Sequence, residues 1–208
     1  ELYSIGQDIF AHPELGYKEF RTSKIVQDAF TQMGLRFEKD LAITGVKARV
    51  KGAKSLTNVC VMGELDSVLC PGHPHADPLT GAAHACGHNA QITMMLGVAH
   101  ALLESGAMSD LGGDVTFVAV PAEEYVEIEY RNKLRKQGKI KFLGGKQEMI
   151  ATGALDDVDM VMIVHSASTV GDKRIFTGGS NNGFIGKFVK YVGKEAHAGG
   201  APHDGVNA

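Results

Sequence analysis

An α/β fold, a layered sheet between helices, is predicted by three features of the sequence. Segments with apolar residues at helical spacing alternate along the chain with short strand-like apolar runs. Asn58 to Leu65, Asp114 to Val120 and Val158 to Val164 are nearly continuous in apolar residues, as strands covered on both faces are. Each of these runs ends in polar, ligand-capable residues, and open α/β sheets form their sites outside the carboxyl ends of strands.

Taken in order, Leu2 to Phe10 reads as a helix that His12-Pro13 breaks. Phe20 to Met33 repeats the pattern through Ile25, Val26, Ala29, Phe30 and Met33, with Gly34 as its C-cap. Strands follow at Leu35 to Glu38, Val46 to Val50 and Asn58 to Leu65. Three prolines and two glycines make Cys70 to Gly81 a loop. A helix from Asn89 to Leu103 ends before Gly106, and Pro121 stops the strand from Asp114. The basic run Tyr125 to Lys146 reads as a solvated helix or lid-like excursion, with a cradle for an acidic substrate as the lesser reading. Gly145 to Ala151 is a short helix and Val158 to Val164 a buried strand. Phe184 to Val192 alternates with charges and starts a segment of different composition, so a boundary is placed at Thr177-Gly178-Gly179-Ser180. Residues 1–179 are then the first part of one domain and 180–208 the beginning of another.

The chain has 208 residues, 44% hydrophobic and 22% charged, with a net charge of −3. That balance is ordinary for a globular protein and gives no reason to expect nucleic acid or an anionic membrane as partner. No apolar run reaches the roughly 18 residues of a membrane span. Three cysteines, Cys60, Cys70 and Cys86, fit a reduced cytoplasmic setting better than a disulfide scaffold. The chain begins at Glu1 without an initiator methionine and stops as a new element starts, so it is expected to be part of something longer.

His84-Ala85-Cys86-Gly87-His88-Asn89 puts a thiol and two imidazoles just ahead of a helix. Sulfur and nitrogen ligands at one point suit a zinc-type ion, and a helix N-terminus there favours thiolate over thiol. Glu64, Asp66, Glu123, Glu124 and His165 lie at the ends of the three buried strands, so the topology gathers them at one edge beside Cys86 and His88. Adjacent carboxylates at a strand end point in different directions, so one of Glu123 and Glu124 can bind metal while the other stays free as a general base.

With these residues in view, Gly63-Glu64-Leu65-Asp66, His84 to Asn89, Pro121-Ala122-Glu123-Glu124, Val164-His165 and Gly193-Lys194-Glu195-Ala196-His197-Ala198 occur in the order of a known family. The chain resembles the aminoacylase/glutamate-carboxypeptidase family of dinuclear metallopeptidases and amidohydrolases, closest to its p-aminobenzoyl-glutamate hydrolase-like branch. His12-Pro13-Glu14-Leu15-Gly16 also looks like that family's opening signature. The resemblance implies a three-layer α/β/α metallopeptidase catalytic domain with a mixed sheet, phosphorylase/hydrolase-like, followed by the start of a smaller α+β lid and dimerisation domain.

By the same resemblance Cys86 sits where other branches have a metal-bridging aspartate, and two divalent ions are implied, with zinc the first expectation and manganese the second. His88 and His165 complete the first ion's shell, and Glu124 binds the second. Glu123 is the general base, and Asp66 orients a metal-ligand side chain. His197 reaches a neighbouring subunit's site in a homodimer and polarises the scissile carbonyl. The implied reaction is hydrolysis of an N-acyl amino acid or dipeptide-like amide through a metal-activated water. Two departures stand out: Glu64 replaces a metal-binding histidine of several branches, and the basic excursion replaces a glycine-rich turn after Glu124. The family's last ligand, a histidine, is expected beyond this sequence.

Other residues are read more plainly. His84 is expected to pack or hydrogen-bond rather than ligate, His100 to lie at a helix surface, and Cys60 to be a buried small hydrophobe. His73, His75 and His203 read as solvated loop residues. The alternative to an enzyme is a catalytically silent binding subunit that keeps the fold.

Overall fold

The computed structural model describes residues 1–167, 175, 183, 185 and 189–208. By contact the chain divides into two compact units, Glu1–Ser168 and Thr169–Ala208. The boundary expected at Thr177 to Ser180 lies outside the described residues, as does most of the strand expected at Phe184 to Val192.

The first unit opens with two helices, α1 (Leu2–Ala11) and α2 (Phe20–Gln32). Along α2, Thr22, Ser23, Val26, Ala29 and Phe30 are buried, the three- and four-residue spacing that turns one helix face to a core. Strands β1 (Phe37–Leu41), β2 (Gly45–Val50) and β3 (Asn58–Glu64) follow, then two short strands, β4 (Val68–Leu69) and β5 (Ala82–Ala83), that pair antiparallel on either side of the expected loop. Helix α3 (His88–Glu104) and strand β6 (Asp114–Val120) come next, then α4 (Ile128–Lys136), α5 (Gly145–Ala151) and β7 (Met160–Ile163).

The main sheet has the order β1-β2-β6-β3-β7. β2 lies antiparallel to β1 and to β6, whereas β6, β3 and β7 run parallel. Val46 and Ala48 of β2 with Val115, Phe117 and Ala119 of β6 pack on Ile9, Phe30, Ile92, Met95 and Leu96 of α1, α2 and α3. Opposite them, Cys60, Met62, Val118 and Val120 pack against Met149 of α5. β6 is buried along its whole length, as its continuous apolar run predicts for a central parallel strand.

Three expectations are corrected. The apolar run ending in β7 was expected to be buried, but Met160, Val161, Met162 and Ile163 are all exposed. β7 is an edge strand, pairing with β3 alone among the described residues. The basic segment is not simply solvated. Lys133, Arg135 and Lys136 do face outward, but Arg131 is fully buried and Leu134 nearly so, beside a small cluster of Tyr17, Ala122 and Ile140. The strand expected at Leu35 starts two residues later, at Phe37.

In the second unit an antiparallel bridge joins Lys194 to Val206, and Pro202–Asp204 form one short 3-10 turn. Among the described residues no helix is long and apolar enough to cross a membrane.

Candidate metal centre

Because β6, β3 and β7 are parallel, their carboxyl ends lie at one edge of the sheet. β3 delivers Glu64 and Asp66 there, β6 delivers Glu123 and Glu124, and β7 delivers His165. α3 starts at the same edge, where Gly87 at φ 89° turns the chain so that Cys86 and His88 face the strand ends.

Ligand atoms of Cys86, His88 and His165 lie within 4.8 Å of one another, and so do those of Glu64, His88 and Glu123. The two groups share His88. Its Nδ1–H donates to the carbonyl oxygen of Asp66 at 2.7 Å, which fixes the tautomer and leaves Nε2 for the site. Nε2 lies 2.9 Å from Glu64 Oε2 and 4.0 Å from Glu123 Oε2. Cys86 Sγ lies 3.5 Å from His165 Nε2, and His165 Nδ1–H donates to the Ser166 carbonyl at 2.7 Å. Ser166 Oγ–H donates to the Cys86 carbonyl at 2.6 Å, joining the α3 turn to the segment after β7. Asp66 Oδ2 accepts the Glu124 N–H at 2.9 Å, so one carboxylate ties together two predicted ligand-bearing segments.

The electrostatics are those of a site holding protons where a cation would sit. Burial disfavours the charged form of His88, yet Asp66 and Glu64 outweigh it and raise the imidazole to about 11. Burial likewise opposes ionisation of Glu64, but His88 and Lys146 bring it down to about 2. Burial, a hydrogen bond with Glu124 and that residue's charge push the Cys86 thiol up to about 11. The expected thiolate is therefore corrected to a thiol for the metal-free protein. Glu123 is raised by burial and by Glu64.

The donor set fits a divalent cation. Glu64 Oε2 and His88 Nε2 are buried with only each other, 2.9 Å apart, and Asp66 Oδ1 is buried without a hydrogen bond. Buried polar atoms left in this way need an ion or water, and one thiol, two imidazoles and several carboxylates are ligands that zinc and manganese accept.

Of the residues expected at the site, Cys86, His88, His165, Glu123, Glu124 and Asp66 come together. His197 belongs to the second unit. There its Nδ1 accepts the N–H groups of Gly199 and Gly200 at 3.2 and 2.9 Å, which places its proton on Nε2. His84 is buried with neither ring nitrogen hydrogen-bonded, and burial, with His88 nearby, lowers it to about 4.

Lys146 was missed. It pairs with Glu64 and lies 3.7 Å from Glu123, reaching the site from α5 after Gly145. Gly145 has to be glycine, since a Cβ there would come within 1.8 Å of the Pro121 carbonyl oxygen. A lysine after a glycine pair was the available signal. The opening signature is structural: Glu14 accepts the N–H groups of Arg21 and Thr22 at the start of α2, and its carbonyl accepts Ser67 N–H at 2.8 Å.

Comparison with known proteins finds a family and related folds. Residues 60–180 match peptidase family M20/M25/M40. The chain is 31% identical over 167 residues to IAA-amino acid hydrolase ILR1-like 6 of Arabidopsis thaliana, covering 79% of this chain and 32% of that protein. It is 28% identical over 205 residues to the N-acyl-L-amino acid amidohydrolase of Geobacillus stearothermophilus, covering 96% of this chain and 50% of that protein. The fold resembles that of the Bacillus subtilis YXEP protein, a dinuclear metal binding peptidase, with a TM-score of 0.61 at 24% identity over 77% of this chain and 41% of that one. The chain thus spans between a third and a half of these relatives.

Proposed function

The chain belongs to peptidase family M20/M25/M40, and on that footing we propose that it forms the catalytic part of a metal-dependent amidohydrolase. The proposed substrates are N-acyl amino acids or dipeptide-like amides, a class that the names of the amidohydrolase relatives support. The observation that carries the reading is the meeting of Cys86, His88 and His165 within 4.8 Å, with Glu123 and Glu124 beside them.

In this reading Cys86, His88, His165 and Glu124 hold two divalent ions, zinc before manganese. Such ions supply a nucleophile at neutral pH by lowering the pKa of water and polarise the amide carbonyl. Glu123 is the general base: half-buried, raised above the ordinary carboxylate range and beside His88, it is suited to take a proton and return it to the leaving nitrogen. Asp66 orients His88 through its carbonyl and Glu124 through its carboxylate. His197, with its proton on an exposed Nε2, is suited to donate to a carbonyl oxygen in a second copy, so the active assembly is a homodimer. The sparse cysteines favour the cytoplasm as the place of action.

The test is hydrolysis of N-acyl amino acids and dipeptides by the protein carrying this chain, with and without zinc or manganese. Glu123→Gln should abolish turnover and leave bound metal unchanged. Metal-independent turnover would contradict the metal reading, and retained turnover in the variant would remove Glu123 as the base.

A further inference from the structure

Arg131 is a cation with no exposure to water, in a segment whose composition belongs outside. Its partners are three backbone carbonyls. Nη1 donates to Leu143 at 2.9 Å and to Ala122 at 3.3 Å, and Nη2 donates to Glu124. The rings of Tyr17 and Tyr125 lie 5.6 and 5.9 Å from the guanidinium carbon. Across the turn, Glu19 is equally buried and accepts the Ala122 N–H at 2.8 Å, while Thr44 Oγ–H donates to its other oxygen at 2.7 Å. A buried carboxylate thus holds Ala122 by its N–H and a buried guanidinium holds it by its C=O. Ala122 needs such support, because at φ 51° it occupies the left-handed region that residues with a Cβ avoid. The next two residues are Glu123 and Glu124.

We propose that Arg131 and Glu19 are positioning residues for the hydrolytic centre, clamping the left-handed Ala122 turn so that Glu123 and Glu124 point into the site. This rests on the hydrolase reading above only for its kinetic consequence. It also gives the basic segment a role: α4 delivers one arginine beneath the catalytic strand end and leaves its lysines in solvent. Arginine suits the place because its planar fork reaches three carbonyls, where a lysine offers a single nitrogen. Gly16 leaves the room, since a Cβ there would lie 2.2 Å from Arg131 Nη2 and 2.9 Å from Ala122 Cα.

The experiment compares Arg131→Lys, Glu19→Ala and Glu19→Gln in the protein carrying this chain. Arg131→Lys and Glu19→Ala should each lower kcat by about tenfold to a hundredfold with KM changed by less than about twofold, the cost of misplacing a catalytic group. Glu19→Gln, which still offers an oxygen to Ala122, should stay within about twofold of wild type. Amide exchange of the metal-free proteins gives a readout apart from activity: Ala122 and Glu124 should exchange about tenfold faster in Arg131→Lys, with Phe117 in β6 unchanged. Lower thermal stability with unchanged kcat per folded molecule would overturn the clamp. If Arg131→Lys does not fold, the contrast between Glu19→Ala and Glu19→Gln decides. If the wild type hydrolyses nothing, the hydrolase reading fails, whereas the exchange rates still uphold or overturn the clamp.

Discussion

The carbonyl oxygen of Asp66 accepts the Nδ1–H of His88 at 2.7 Å, while the same residue's carboxylate accepts the Glu124 N–H at 2.9 Å. One residue at the end of β3 therefore aims an imidazole from α3 and anchors the backbone of a glutamate after β6. Asp66→Ala, which removes the carboxylate that anchors Glu124, should weaken metal binding about 10–100-fold, the usual effect of losing the partner that orients a ligand. Titration of metal-free protein with zinc measures it, and unchanged affinity would remove Asp66 from the site.

Protonation sets the pH dependence of metal uptake. His88 and Cys86 both lie near 11 in the metal-free protein, so both carry protons at neutral pH that an ion must displace. Affinity should rise with pH through neutrality, with release of about two protons per site. Calorimetric titration in buffers of different ionisation enthalpy counts them. Uptake without proton release would mean that neither residue is a ligand.

Glu19 makes stability depend on pH in a defined direction. Burial, reinforced by the Asp66 charge, raises it from 4.5 to about 7. The folded protein keeps a proton that the unfolded chain loses in this window, so its contribution is complete below 4.5 and is lost as pH rises through 7. The full shift is worth roughly 3 kcal/mol. In urea unfolding of metal-free protein, Glu19→Gln should gain on wild type between about pH 5 and about pH 8. Parallel profiles would contradict the assignment.

Gly16 is fixed by space. Gly16→Ala should destabilise the fold by about 1–3 kcal/mol, because the new Cβ meets Arg131 Nη2 at 2.2 Å and Ala122 Cα at 2.9 Å. A denaturation midpoint equal to wild type would show that the turn yields freely.

Much of this architecture is legible in the sequence because periodicity reports burial. β6 is found from Asp114 to Val120 as its apolar run predicts, and α5 from Gly145 to Ala151. The site is legible because parallel strands put their polar ends on one edge. What sequence did not disclose depends on neighbours remote along the chain. Among the described residues β7 pairs with β3 alone and is exposed throughout, and its own apolar residues encode neither. Arg131 looks like its solvated neighbours, since backbone carbonyls of Ala122, Glu124 and Leu143 leave no mark in a sequence. The Cys86 thiol is raised by burial first and then by Glu124, which follows β6 and is remote from it along the chain.

Cys86, His88, His165 and Glu124 are proposed to share bound cations, and metal analysis of the purified protein carrying this chain tests this most directly. Wild type should hold a divalent metal, and His88→Ala should lose most of it with the fold preserved. Wild type that binds no divalent metal, or His88→Ala that retains the full complement, would contradict it.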